Sequence, residues 1–201
     1  MANNLETLIW AVNLGCIEIH PWLSPQLHLD NPTYIIFDLD PMSPATFQDA
    51  VQVALALKTL TDHLGLALFP KISGATGLHL YLPVKPVYSY QETATFVQRL
   101  GEAVIRVLPE LATNERKVSA RGGKVYIDHL QNQKGKTIAS VYSLRPFAGA
   151  PVSMPVTWEE LPSVQPDSFT ITTTPTRLAA TGDLFAPLLT IRQELPFHLL
   201  T

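Results

Sequence analysis

A single cysteine, Cys16, stands in a chain of 201 residues. One thiol closes no internal disulfide, and no metal-ligand spacing surrounds it, so a buried structural thiol is expected there. Long hydrophobic runs are absent. None approaches the roughly 18 residues that a membrane helix needs, which argues against a membrane protein. The opening stretch MANNLETLIWAVNLG lacks a basic n-region and a small-residue cleavage site, so no secretory signal is expected and a cytoplasmic location follows by default. Charge is scarce at 15%, and the net charge is −3. That balance disfavours a generic nucleic-acid coat, whose non-specific binding needs excess Lys and Arg. Internal repeats and low-complexity segments are missing too. What is abundant is apolar content, 46%, which suits a packed globular chain and not a disordered one.

The basic residues are unevenly spread. Arg116, Lys117, Arg121, Lys124, Lys134 and Lys136 surround one carboxylate, Asp128. A solvated hairpin edge protected by lysines accounts for this. The functional reading is a phosphate-facing patch beside a metal ligand.

Periodicity outlines the elements. Residues 4–14 carry an amphipathic helix pattern, and 17–19 read as a brief strand. Residues 33–39 read as a buried strand. Ser43-Pro44 is expected to open a helix that runs to about His63 and ends at Gly65. Residues 66–71 and 78–84 are strands joined by SGATG. Ser89-Tyr-Gln-Glu92 is a capping box for a second long helix ending before Pro109. Residues 124–130 form a strand, with 137–142 as its expected hairpin partner. Prolines then break the chain into short pieces, so 146–201 is read as an extended tail on a core of 5–145, within one domain of 1–201. Short helices are expected near 157–161 and 176–190. The order implies an α+β fold, a mainly antiparallel or mixed sheet with helices on it. Trp10, Trp22 and Trp158 are expected to pack in the apolar interior.

Three stretches carry chemistry. In YIIFDLDP, Asp38 and Asp40 follow an apolar run and would share one strand face. Asp40 could merely open the turn at Pro41. Alternatively, a divalent cation makes two adjacent like charges favourable. In KISGATGLHLYLP, Ser73, Gly74 and Gly77 form a turn able to aim backbone N–H groups at an anion, with His79 beside it. A hairpin turn with a structural histidine and an exposed Lys71 is the plainer reading. In GKVYIDHLQN, Asp128 sits mid-strand, where a carboxylate needs a partner or a metal. Asp38, Asp40 and Asp128 together would offer hard oxygen ligands to Mg²⁺ or Mn²⁺.

FDLDP, then SGxxGxH, then KVYIDHLQN and GKTIASVYSLRPFAGAPVSMPVTWEEL resemble, in that order, the polymerase domain of bacterial ligase D, within the archaeo-eukaryotic primase–polymerase superfamily. The resemblance runs from LIWAVNLGC to about Leu184. It implies that Asp38, Asp40 and Asp128 are catalytic metal ligands for two divalent ions. It implies that Ser73, with Gly74, and His79 hold the triphosphate of an incoming nucleotide. Arg145 matches a phosphate-contacting arginine, Gln131 and His20 match nucleotide-site residues, and Lys71 matches a lysine preceding the Ser-Gly pair. Thr76 stands where relatives carry a basic residue, and His129 where a tyrosine is common. The resemblance also implies an N-terminal region before LIWAVNLGC, which in the family helps to build the nucleotide pocket and to grip DNA; a separate polypeptide is expected to supply it.

The function these features imply is a metal-dependent nucleotidyltransferase adding NTPs or dNTPs to a DNA or RNA primer, with a role in end-joining repair. The implied partners are a primer–template, a separate polypeptide supplying the N-terminal region, a DNA ligase or an end-binding protein. The alternative is a non-catalytic nucleotide- or DNA-binding subunit. An unrelated two-metal hydrolase fits less well, since it would leave the Ser-Gly turn and Arg145 without a triphosphate.

Overall fold

The structure, a computed structural model, describes residues 3–199. Five strands form one mixed sheet: β1 (Tyr34–Pro41), β2 (Phe69–Ile72), β3 (Leu78–Pro83), β4 (Ala112–Thr113) and β5 (Val125–Asp128). Their order is β2-β3-β1-β5-β4, antiparallel throughout except for the β4–β5 pair. Four α-helices accompany them: α1 (Leu5–Asn13), α2 (Phe47–His63), α3 (Tyr90–Val107) and α4 (Thr174–Thr181).

Strand alternation explains the two faces of the sheet. In β1, Ile35, Phe37 and Leu39 point one way, into a core shared with Ile72, Leu78, Leu80, Leu82, Val125 and Ile127. α2 and α3 cover this face with Val51, Ala54, Leu57, Phe96, Val97 and Leu100. Phe37 and Phe96 are fully buried, each contributing about 2–3 kcal/mol of hydrophobic stabilisation. On the opposite face Ile36 and Tyr81 meet Leu23, Tyr90, Ile138, Phe185 and Leu188. Asp38 and Asp40 have the parity of Ile36 and so belong to this second face.

The Ser89 capping box of α3 forms as expected, Oγ of Ser89 accepting from the Glu92 amide while Glu92 accepts from that of Ser89. Several expectations are corrected. Residues 17–19 form no strand, although the Ile19 amide donates to Ser143 Oγ. α2 is capped by Thr46, with Asp49 closing the box, and Ser43-Pro44 lies outside it as a cis peptide. The flanking Ser-Pro resembled a cap, but Thr46 has its carboxylate partner three residues on. Segment 137–142 is no hairpin partner of β5, whose neighbours are β1 and β4. Thr137 instead bridges to Trp22, and the Ser140 amide donates to Ile19. Cys16 is exposed, not buried. Trp10 and Trp22 are 63% and 42% exposed; Trp10 lies on α1, which has no buried residue. Trp158 does pack, donating its indole N–H to Leu68 O at 2.9 Å.

Beyond Leu144 the chain wraps the core. The Ile72 amide donates to Met154 O, the Met154 amide to Ile72 O, and the Val156 amide to Pro70 O, so this segment lines the free edge of β2. Val152, Met154, Val156 and Leu161 are buried in the main core. Among the described residues no helix is long and apolar enough to cross a membrane.

Candidate active site

Register builds the site. Asp38 of β1 lies opposite His79 of β3 on one side and opposite Asp128 of β5 on the other, and His79 lies opposite Lys71 of β2. Directly opposed residues share a face, with Cβ atoms about 4.5–5.5 Å apart. Lys71, His79, Asp38 and Asp128 therefore form one row across four strands. Asp40 follows on the same face, opposite Tyr126.

The carboxylates crowd one another. Burial first, then the charges of Asp40 and Asp128, push the Asp38 carboxyl well above the usual range; Lys71 and Arg145 oppose this. Asp40 is raised by burial and by Asp128, with Arg121 opposing. The Asp38 side chain is 15% exposed, yet its Oδ1 is buried and, among the described residues, has no hydrogen bond. His79 Nε2 lies 3.4 Å from it. Asp128 is better served: its Oδ1 accepts from the Leu130 amide at 2.9 Å and from the Tyr126 hydroxyl at 3.1 Å.

Turn chemistry shapes the next part. Ser73 Oγ accepts from the amides of Ala75 and Gly77, at 3.1 and 3.0 Å. Gly74 sits at φ 72°, and a Cβ there would come within 2.9 Å of Arg145 Cγ and the Val152 carbonyl carbon. A Cβ on Gly77 would lie 2.6 Å from Leu39 O and 3.3 Å from Asp40 Oδ1. These two glycines let the turn lie against β1 and Arg145. Arg145 is held by two bonds, Nη1 to Ser73 O at 2.7 Å and Nε to Glu18 Oε1 at 2.6 Å.

These groups open on a cleft of about 240 Å³ lined by His20, Asp38, Asp40, Ser73, His79, Gln131 and Arg145, with Thr76, Gly77 and Ile138. His20 stands exposed at the rim, 3.8 Å from Glu18 Oε1. Gln131 is held by donation to Thr137 O at 2.7 Å. Gly74 belongs to the turn behind, and Asp128 ends the row beside the cleft. Lys71 is displaced from both of its expected settings. It is neither an exposed strand residue nor a wall of the cleft, but fully buried behind His79. A second cavity, about 310 Å³, lies where Tyr34, Tyr81, Phe185 and Leu188 meet, and it contains none of the expected site residues.

Some supporting residues were not legible in the motifs. Asn132 is fully buried and pairs with the backbone of Ile36 both ways, accepting from its N–H at 2.8 Å and donating to its C=O at 2.7 Å. It replaces a strand where β5 ends in the 3-10 turn His129–Asn132, and so ties the segment after Asp128 to β1. Glu18 and Ser153 were missed likewise. Only their long-range partners give them a role.

The donor set suits a hard divalent cation. An orphaned buried carboxylate oxygen and mutually raised acids are what a cation would relieve. Among the described residues no three His, Cys, Asp or Glu side chains close into a ready-made metal cage. Mg²⁺ needs none, since it typically takes one or two carboxylates and fills its remaining positions with water and phosphate.

Comparison with known proteins adds the lineage. The chain is 38% identical over 185 residues to the bifunctional non-homologous end joining protein LigD of Bacillus subtilis, covering 90% of this chain and 30% of that protein. It is 35% identical over 160 residues to the multifunctional LigD of Pseudomonas aeruginosa, covering 80% of this chain and 19% of that one. The chain thus spans less than a third of the length of these curated relatives. Its fold matches the polymerase domain of Mycobacterium tuberculosis ligase D solved in complex with DNA, with a TM-score of 0.83 and 30% identity, over 92% of this chain and 68% of that one. The model of the LigD primase-polymerase domain covers residues 1–185, and the chain belongs to that family.

Proposed function

We propose that the chain is a divalent-metal-dependent nucleotidyltransferase that adds NTPs or dNTPs to a nucleic-acid primer during end-joining repair. The observation that carries this reading is the row in which Asp38 faces Asp128 across paired strands, next to Asp40, with one Asp38 oxygen buried and unserved. Three like charges at one point of a fold are costly unless a cation offsets them.

Asp38, Asp40 and Asp128 would hold Mn²⁺ or Mg²⁺, which when bound supplies Lewis-acid stabilisation of the transferring phosphoryl group and activation of the attacking hydroxyl. The rest of the cleft suits a triphosphate. Arg145, its plane fixed by Glu18 and Ser73, keeps donors free for phosphate oxygens. The Ser73 hydroxyl accepts two amides, which leaves its own proton to donate. His79 faces Asp38 across the sheet and lines the same cleft, able to donate to a phosphate oxygen as charge develops there. His20 and Gln131, which also line the cleft, would orient the nucleotide. The relatives' names, all end-joining proteins called LigD, support the repair assignment.

Primer extension with Mn²⁺ and each NTP, comparing wild type with Asp38→Ala plus Asp40→Ala, tests this. Extension by wild type that is lost in the double variant, by about 10³-fold or more as expected when an electrostatic centre of catalysis is removed, supports the proposal. Extension that survives would exclude these carboxylates. Nucleotide binding without extension in wild type would favour the binding subunit instead.

A further inference from the structure

Lys71 is a fully buried lysine that the proposed chemistry leaves unused. Its Nζ lies 2.9 Å from His79 Nδ1 and 3.0 Å from Ala139 O, and it also bonds Ser153 Oγ. We propose that Lys71 is a positioning residue that sets the tautomer of His79, so that the imidazole presents Nε2–H to the cleft.

The argument is one of counting protons. An ammonium has three N–H donors and no lone pair, and here it has three neighbours able to accept. Ala139 O can only accept. Ser153 Oγ accepts as well, because its own proton is directed to Ile72 O at 3.4 Å. The third proton then goes to Nδ1, which must be unprotonated, and the ring proton resides on Nε2. A neutral amine would instead turn its lone pair to an Nδ1–H, so the Nε2–H form belongs to the charged lysine. Nε2 lies 3.4 Å from Asp38 Oδ1, the oxygen that has no hydrogen bond among the described residues. In the other tautomer a nitrogen lone pair would face that oxygen, and any phosphate oxygen entering the cleft, with repulsion instead of donation. Burial brings the Lys71 pKa down to about 7, against the Asp38 carboxylate and the Tyr81 ring, whose centroid lies 5.7 Å away and which favour the charged form, so the ammonium prevails below that pH. The β2–β3 pair, the stretch around Ala139 and the stretch around Ser153 supply this arrangement.

The consequence for nucleotide binding rests on the proposed function, whereas the tautomer does not. The test is imidazole ¹⁵N spectroscopy on the full chain labelled at histidine, without nucleotide, at about pH 6, where the lysine is charged and burial keeps the His79 ring neutral. The His79 signals are assigned by their loss in His79→Gln. Wild type is expected to show the Nε2–H form alone. Lys71→Met, which keeps bulk but not donors, is expected to shift His79 to Nδ1–H or a mixture. It is also expected to weaken binding of a nucleoside triphosphate by about tenfold, as one lost hydrogen bond would. Ser153→Ala keeps Lys71 and should retain the wild-type tautomer. An Nδ1–H form in wild type overturns the proposal whether or not Lys71→Met folds. So does a folded Lys71→Met with an unchanged tautomer. If wild type shows the expected tautomer but binds no triphosphate, the proposed function fails and this assignment stands.

Discussion

Asp38 combines a strand position that the fold requires with a charge that the fold resists. Burial and two neighbouring carboxylates raise its pKa, and Asp40 is raised by similar causes. The folded chain thus binds protons more tightly than the unfolded one. The metal-free protein should therefore lose stability as pH rises from the ordinary carboxylate pKa of about 4 through the raised folded value. Asp38→Asn keeps the shape and removes the charge. Thermal melts in chelator should show it more stable than wild type above about pH 6, by roughly 1–3 kcal/mol, with a flatter pH dependence. Mn²⁺ should raise the wild-type midpoint at neutral pH and leave that of Asp38→Asn nearly unchanged. Identical pH slopes for the two proteins would show that Asp38 carries no such penalty. At this scale much was legible in the chain: the FDLDP pair and the SGxxGxH turn are local motifs. The burial of Lys71 was not. Two of its three partners lie 68 and 82 residues away, at Ala139 and Ser153, and no local pattern announces them.

Between elements, the approach of the 73–77 turn to β1 sets the cleft. Gly77→Ala would place a methyl 2.6 Å from Leu39 O. Backbone cannot yield as a flexible side chain can, so β3 must shift at its start. A loss of about 1–3 kcal/mol in denaturant unfolding is expected, together with weaker triphosphate binding in a titration of the folded variant. A fully tolerated substitution would mean that this contact is not tight in solution. Legibility here followed sequence distance. The Ser89–Glu92 box was readable because cap and partner are three residues apart. The same logic, applied to Ser43-Pro44, chose the wrong residue, since Thr46 with Asp49 completes a box that Ser43 cannot. The pairing of 137–142 was misread because chain proximity suggested a hairpin. Asn132, bonding both backbone groups of Ile36, closes that position on β1 instead.

For the whole molecule, the stretch after Ala150 decides whether the core closes. Val152, Met154, Val156 and Leu161 are buried with the strands and helices, and Arg177 clamps the stretch by a bidentate pair with Glu160, at 2.7 and 2.8 Å, while lying 4.3 Å from the Phe169 ring centroid. A chain truncated after Ala150 should show no cooperative melting by circular dichroism, because it exposes β2 and the apolar groups those residues cover. A cooperative transition would make that stretch dispensable. The alternation of apolar and acidic residues in β1, the caps of α3 and the order of the three motifs were already written in the linear chain. Each depends on neighbours a few residues apart, where periodicity and side-chain reach suffice. Which strands stand side by side, which lysine is hidden and which amide replaces a missing strand were settled only on folding. Those outcomes depend on contacts between segments many tens of residues apart, whose pairing is selected by the combined burial of both sheet faces and by the demand that every buried polar group find a partner.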